Sequence, residues 1–201
     1  MKNLTAPDSG ATTLVVAQAG HIPAITAIYA EAVLHGTASW ELKPPDPTEM
    51  ARRMAEIQAQ GYPYLVALAG DAVAGYAYAG AYRPRPGYRF TVEDSVYVAP
   101  GWQGRGIGRR LLAAVIDATT ALGYRQMIAV IGDSGNAASI ALHAALGFTR
   151  AGLLRSVGFK YGRWLDGVLM QRALGEGDAT LPGAPSPSAP AAAAYNAKDA
   201  S

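Results

Sequence analysis

The chain has 201 residues, 50% of them hydrophobic and 16% charged, with 17 Lys+Arg against 15 Asp+Glu for a net charge of +2. That length suits one folded domain with tails, the composition excludes a largely disordered chain, and so small a positive excess argues against nucleic acid as a partner. With no cysteine, disulfides, thiolate catalysis and Cys-based metal sites are excluded, and no apolar run approaches the roughly 18 residues of a membrane helix. The expectation is a soluble cytoplasmic protein with no membrane partner.

Residues 1–12 are small and polar around Pro7-Asp8-Ser9-Gly10 and predict a flexible N-terminal tail. Residues 14–17 are a short apolar run suited to a first strand. Over 23–33, Ile25, Ile28, Tyr29, Ala32 and Val33 share one helical face, with Pro23 tolerated in the first turn. Residues 36–41 run into Pro44 and Pro45 and predict a loop, in which Trp40 reads either as a packing lid or as a ligand contact. Asp46-Pro47-Thr48-Glu49 reads as a helix start, with Asp46 as N-cap and Glu49 completing a capping box. Residues 64–69 and 72–82 are strand-like around a Gly70-Asp71 turn, and Pro84 and Pro86 make 83–87 a loop before a strand at 91–98.

Trp102-Gln103-Gly104-Arg105-Gly106-Ile107-Gly108-Arg109-Arg110 follows that strand and opens a helix over 109–122. Three alternating glycines let successive backbone N–H groups converge, and the orphan N–H groups and positive dipole end of the helix make such a loop an anion cradle. Arg105, Arg109 and Arg110 add charge, so the implied ligand is a phosphate or pyrophosphate. A P-loop needs Lys-Ser/Thr where Ile107 and Gly108 stand, and a Rossmann fingerprint needs its third glycine one residue later. Beyond the helix, 126–131 reads as a buried parallel strand, Asn136 caps a short helix ending at Gly147, and 153–161 and 164–174 supply two last strands. From Gly175 to Ser201, Gly, Pro, Ala and Ser dominate and predict a disordered tail, leaving 13–174 as the domain. The element order implies an α/β fold, a mixed sheet with helices on both faces.

Gln103-x-x-Gly106-x-Gly108, set between strand and helix, resembles the coenzyme A pyrophosphate loop of the GNAT superfamily of N-acetyltransferases. The run Thr91-Val92-Glu93-Asp94-Ser95-Val96-Tyr97-Val98, with Asn136-Ala137-Ala138-Ser139 and Gly158-Phe159-Lys160-Tyr161-Gly162-Arg163-Trp164, is similar to phosphinothricin and methionine-sulfoximine N-acetyltransferases. This resemblance implies a GNAT-type, mostly antiparallel central sheet with two splayed parallel strands, acetyl-CoA as acyl donor, a small-molecule amine as acceptor, and a homodimer. It assigns the donor to the backbone of Val96, Tyr97 and Val98, to Gln103, Gly104, Arg105, Gly106, Ile107, Gly108 and Arg109, and to Asn136 and Ser139, with Asn136 readable both as helix cap and as cofactor contact.

Acetyl transfer to an amine needs a carboxylate to take the ammonium proton and amide donors to polarise the thioester carbonyl. Strand alternation puts Glu93, Ser95 and Tyr97 on one face and Asp94 with Val92, Val96 and Val98 on the other. The resemblance assigns the base to Glu93; Asp94 reads as structural, paired with an arginine. His143 reads either as the general acid for the departing thiolate or as a packed helix residue. Arg83 and Arg85 are candidates for the substrate anion, or merely solubilising, because a guanidinium fork matches a carboxylate. Tyr82, Ser95 and Trp40 complete the expected substrate pocket. No His or carboxylate cluster has metal-site spacing, so no metal is expected. The rival functions are acetylation of an antibiotic amine or a protein N-terminus, and a non-catalytic acyl-CoA sensor.

Overall fold

The computed structural model describes residues 12–182. Residues 1–11 and 183–201, on which most of the two expected tails fall, lie outside them. The described chain runs β1 (Thr13–Val16), α1 (Ile22–His35), α2 (Pro47–Ala59), β2 (Tyr64–Ala69), β3 (Ala72–Ala81), β4 (Thr91–Val98), α3 (Ile107–Ala121), β5 (Gln126–Gly132), α4 (Ala137–Ala145), β6 (Thr149–Lys160) and β7 (Arg163–Ala173). This is the order expected from the sequence.

The seven strands form one sheet in the order β1-β2-β3-β4-β5-β7-β6. Neighbours are antiparallel except β4 and β5, which run parallel and pair only at Thr91↔Gln126, Val92↔Met127 and Glu93↔Ile128. Both strands continue past that pairing, to Val98 and Gly132, so they splay and leave main-chain groups facing a cleft. The fold is therefore the mixed, mostly antiparallel α/β sheet with splayed parallel strands that the sequence predicts.

Each face of the sheet has its own core. On one, Ile25 and Val33 of α1 and Met50 and Met54 of α2 pack on Tyr64, Val66 and Tyr76. On the other, Leu111, Leu112 and Val115 of α3 lie against Ala77, Ala79, Val92 and Met127. Tyrosines on one side of β3 and alanines on the other set how closely the helices approach: small residues let α3 lie close to the sheet.

Asp46 caps α2 by accepting from the Glu49 N–H at 2.9 Å. The reciprocal half of the expected capping box gives way to Arg52 and Arg53, whose Nε atoms each lie 2.7 Å from the Glu49 carboxylate. A turn downstream, two guanidinium groups offer charge-assisted bonds that outcompete a neutral backbone N–H. Residues 175–182 are held to the domain as well: Arg125 donates to the carbonyls of Gly177 (2.7 Å) and Thr180 (2.9 Å).

The loop after α1 is fastened to the β6–β7 hairpin. Lys160, buried, donates from Nζ to the carbonyls of Gly36 and Ser39, both at 2.9 Å, and the Tyr161 hydroxyl lies 3.0 Å from the carbonyls of Val33 and Gly36. A cation thus sits at the negative end of α1, where the last carbonyls lack intrahelical partners. The same loop crosses the end of β5 so closely that a Cβ on Gly132 would lie 2.0 Å from the Thr37 carbonyl oxygen. Gly132→Ala is therefore expected to destabilise the fold by about 1–3 kcal/mol, read as a lowered urea midpoint; a midpoint unchanged from wild type would show that the loop yields instead.

Candidate active site

A cavity of about 760 Å³ opens at the splay, walled by Val96, Tyr97 and Val98 of β4, by the glycine loop, and by Asn136, Ser139 and Leu142 at α4. Gly104 and Gly106 have φ of +74° and +77°, a left-handed conformation that L side chains rarely adopt. Gly106 is the N-cap of α3 and brings no side chain to the first turn, so no side-chain cap occupies the first N–H groups of the helix. This is the backbone geometry that the expected anion cradle requires.

Of the residues expected at the donor, Gln103, Gly104, Gly106, Ile107, Gly108, Arg109, Asn136 and Ser139 line this cavity with the three β4 residues. Arg105 flanks it, its guanidinium 4.9 Å from the ring centre of Trp102. Arg110, expected to add charge at the loop, instead bonds to the Thr12 carbonyl at 2.6 Å, because helix periodicity turns it toward the start of β1. Asn136 accepts from the Ser139 N–H at 3.2 Å, so its capping role is observed, and its amide nitrogen remains for a ligand.

Alternation along β4 separates the two acids as expected. Glu93 shares its face with Tyr97, which packs among the tyrosines of the α1–α2 core. It is half-buried, and burial first, then the nearby Asp94 charge, push it up to about 7 against the pull of Arg83. Arg83 lies over the rings of Tyr82 (5.1 Å) and Tyr88 (5.9 Å), forming an aromatic-guanidinium rim near Glu93. Arg85 makes no ion pair or stacking contact among the described residues. Ser95 pairs across the sheet with Tyr78 and lines a second, smaller cavity. Trp40 is not among the residues lining either cavity; its ring packs on Gly158 and Gly167 of the hairpin and on Gly132.

The smaller cavity, about 50 Å³, lies between the splayed strands and is lined by Asp94, Ser95, Ser139 and His143 with the backbone of β4 and β5. Here the structure corrects the expected arginine partner of Asp94. Its Oδ2 lies 3.0 Å from Nε2 of His143, with both side chains at most 3% exposed. The His143 Nδ1 lies 2.7 Å from the Ser139 carbonyl, which can only accept. Both ring nitrogens thus have partners within the protein, and the ring meets Phe148 in a T-shaped contact with centroids 5.0 Å apart.

The sequence reading missed the wall contributed by α1 and its following loop, where Ile28, Ala32, Thr37 and Ala38 line the larger cavity. No local motif marks them: Ile28 and Ala32 look like any residues on an apolar helix face. Nor did spacing reveal the Asp94–His143 pair, whose members are far apart in sequence. Among the described residues, no group of His, Asp or Glu is arranged to hold a metal ion.

Compared with known proteins, residues 26–148 match the model of the acetyltransferase (GNAT) family. The chain is 57% identical over 172 residues to phosphinothricin N-acetyltransferase of Alcaligenes faecalis, covering 86% of this chain and 87% of that protein. It is 44% identical over 164 residues to the L-methionine sulfoximine/L-methionine sulfone acetyltransferase of Salmonella typhimurium, covering 82% and 95%. Its fold is similar to the crystal structure of a phosphinothricin acetyltransferase from Sinorhizobium meliloti in complex with AcCoA, with a TM-score of 0.85, 52% identity, and coverage of 88% and 96%.

Proposed function

The chain belongs to the GNAT family of acetyltransferases, and from that premise we propose that it transfers an acetyl group from acetyl-CoA to the amino group of a small amino-acid analogue. The acceptor class is that of phosphinothricin, methionine sulfoximine and methionine sulfone, the compounds for which its relatives are named. The observation that carries the reading is Glu93: a half-buried carboxylate raised to about 7, on the strand whose next residues wall the donor cavity. A base with that proton affinity accepts a proton from an ammonium and releases it again near neutrality.

The residues present fit the donor. The uncapped first turn of α3 and Arg109 suit its pyrophosphate, and the cleft between β4 and α4 suits an extended arm. Glu93 takes the ammonium proton. The neutral nitrogen then attacks the thioester carbonyl carbon, the C–N bond forms, the C–S bond breaks, and the proton that the acylated nitrogen gives up balances the one the thiolate gains. Main-chain N–H groups on the part of β4 that has left β5 are suited to polarise the carbonyl as negative charge develops on its oxygen. No acyl-enzyme is involved. Arg83, held over Tyr82 and Tyr88, supplies the cation for the acceptor's carboxylate.

Arg83 also opposes the rise of Glu93. Arg83→Ala is expected to push Glu93 higher still, moving the acidic limb of kcat/KM to higher pH and raising the acceptor KM about tenfold. A pH–rate profile checks both; an unmoved limb would separate Arg83 from the base. Exposed Val157, Phe159, Tyr161 and Trp164 on the β6–β7 hairpin support a homodimer. Acetylating a toxic amino-acid analogue in the cytoplasm would give its host resistance.

The test is thiol release from acetyl-CoA across phosphinothricin, methionine sulfoximine, methionine sulfone and the ordinary amino acids. Release with the sulfoximine-type amines supports the narrow reading. Donor binding without thiol release from any of them would overturn it, leaving another amine or a sensor.

A further inference from the structure

The donor cavity has two walls that meet only indirectly. β4 contributes Val96, Tyr97 and Val98, while the α4 end contributes Asn136, Ser139 and Leu142. α4 rests on the sheet chiefly through β5, and β5 has parted from β4 beyond Glu93. Among the described residues, the hydrogen bond from His143 to Asp94 is the one polar tie from α4 to β4. The same ring is bonded at its other nitrogen to the Ser139 carbonyl, in the first turn of α4. The imidazole therefore spans from the lining residue Ser139 to the opposite wall.

The tie requires a proton. Nδ1 lies 2.7 Å from the Ser139 carbonyl and 3.4 Å from the Ser139 hydroxyl; the closer partner calls for an Nδ1–H donor, and in a neutral ring of that tautomer Nε2 would present a lone pair to the Asp94 carboxylate. With both side chains at most 3% exposed, no bulk water relieves that repulsion. A proton between Nε2 and Oδ2 makes the pair neutral overall, whichever partner holds it. The second oxygen, Oδ1, is buried without a partner and borders the 50 Å³ cavity between the splayed strands.

We propose that Asp94 and His143 are a proton-dependent positioning pair that clamps α4 to β4 and so holds Asn136 and Ser139 in register with Val96–Val98 to receive acetyl-CoA. This deepens the acetyltransferase reading and rests on it. The pair acts on donor affinity, not on the proton transfer at the acceptor amine, which belongs to Glu93 on the opposite face of β4. Burial pulls the His143 ring down, but the Asp94 carboxylate and the Ser139 carbonyl more than offset this and leave it above its usual value of 6.5. The clamp is thus fully present below pH 6.5 and is lost as pH rises through the raised value. Of the groups on the packed elements, Glu93 is the one whose charge is coupled to that of Asp94. Glu93 lies on the opposite face of β4, α4 and β5 carry no further titratable side chain, Phe148 meets the His143 ring in a T-shaped contact, and Arg172 is bound to the Leu146 carbonyl.

The test is acetyl-CoA titration by calorimetry, with kcat at saturating donor measured beside it. His143→Phe and Asp94→Ala are each expected to raise the donor Kd about tenfold or more while kcat stays within about threefold. Asp94→Asn, whose amide can donate to a neutral ring, is expected to raise Kd less than Asp94→Ala and to abolish the alkaline rise in Kd seen for the wild type. A fall in kcat with Kd unchanged in His143→Phe would overturn the proposal in favour of a general acid. A lowered unfolding midpoint with Kd unchanged would reduce the pair to scaffolding. Should the wild-type protein fail to bind acetyl-CoA at all, the acetyltransferase reading itself falls; binding that ignores all three substitutions sinks only the clamp.

Discussion

Replacing Glu93 by Gln is expected to lower kcat by about 10²–10⁴-fold, the usual contribution of a positioned general base, while the donor Kd stays within about twofold. The amide keeps the shape and much of the hydrogen bonding of the carboxylate but cannot accept the ammonium proton. The cavity proposed for the donor runs along the far half of β4 and at α3, so donor affinity has no reason to change. The wild-type profile supplies a second sign. Since only ionised Glu93 is a base and its pKa is about 7, kcat/KM should climb through neutral pH and level off above it. Glu93→Gln should keep no such limb. Steady-state thiol release over pH 5–10 reads both effects, and a variant retaining a third of wild-type kcat would move the base elsewhere.

The second large effect is expected at the glycine loop. Gly106 caps α3 at φ +77°, a region closed to β-branched residues except under strain. Gly106→Val must either hold that strained shape, at a cost of about 1–3 kcal/mol, or let the loop relax and disperse the N–H groups that form the cradle. If the loop regains its shape only with donor bound, the same energy appears as roughly a 5–150-fold weaker acetyl-CoA affinity. Calorimetry with acetyl-CoA measures it directly. The effect belongs in donor affinity and donor KM, with kcat at saturation close to wild type; a collapse of kcat alone would mean that the loop does more than bind.

How far the sequence could be read depended on whether a residue's role is local. The glycine loop was legible because strand, turn and helix are contiguous, and the backbone demands at Gly104 and Gly106 are written in the residue type itself. The separation of Glu93 from Asp94 was legible because strands alternate. Partner choice was not. Asp94 looked like an acid in need of an arginine, yet the fold offers it His143 from a helix three elements later. Glu49 looked like half of a capping box and found Arg52 and Arg53 closer to hand. The α1 wall of the cavity was invisible for the same reason: nothing in Ile28 or Ala32 says which side of the sheet the helix will cover. Such contacts are decided by topology, and a linear pattern carries them only weakly.

The fastening of the α1 loop to the β6–β7 hairpin has a mechanical consequence. Lys160 and Tyr161 bond to its main chain, and the Trp40 ring packs against Gly132, Gly158 and Gly167. Loop and hairpin are therefore fastened into one unit, of which the loop residues Gly36, Thr37 and Ala38 border the larger cavity. A ligand entering it spends little of its affinity on ordering the chain, and turnover need not wait for a flap to shut. The same fastening would set a limit on any ligand that enters past Thr37 and Ala38: a wall so held yields little, and its dimensions would act as a fixed gauge.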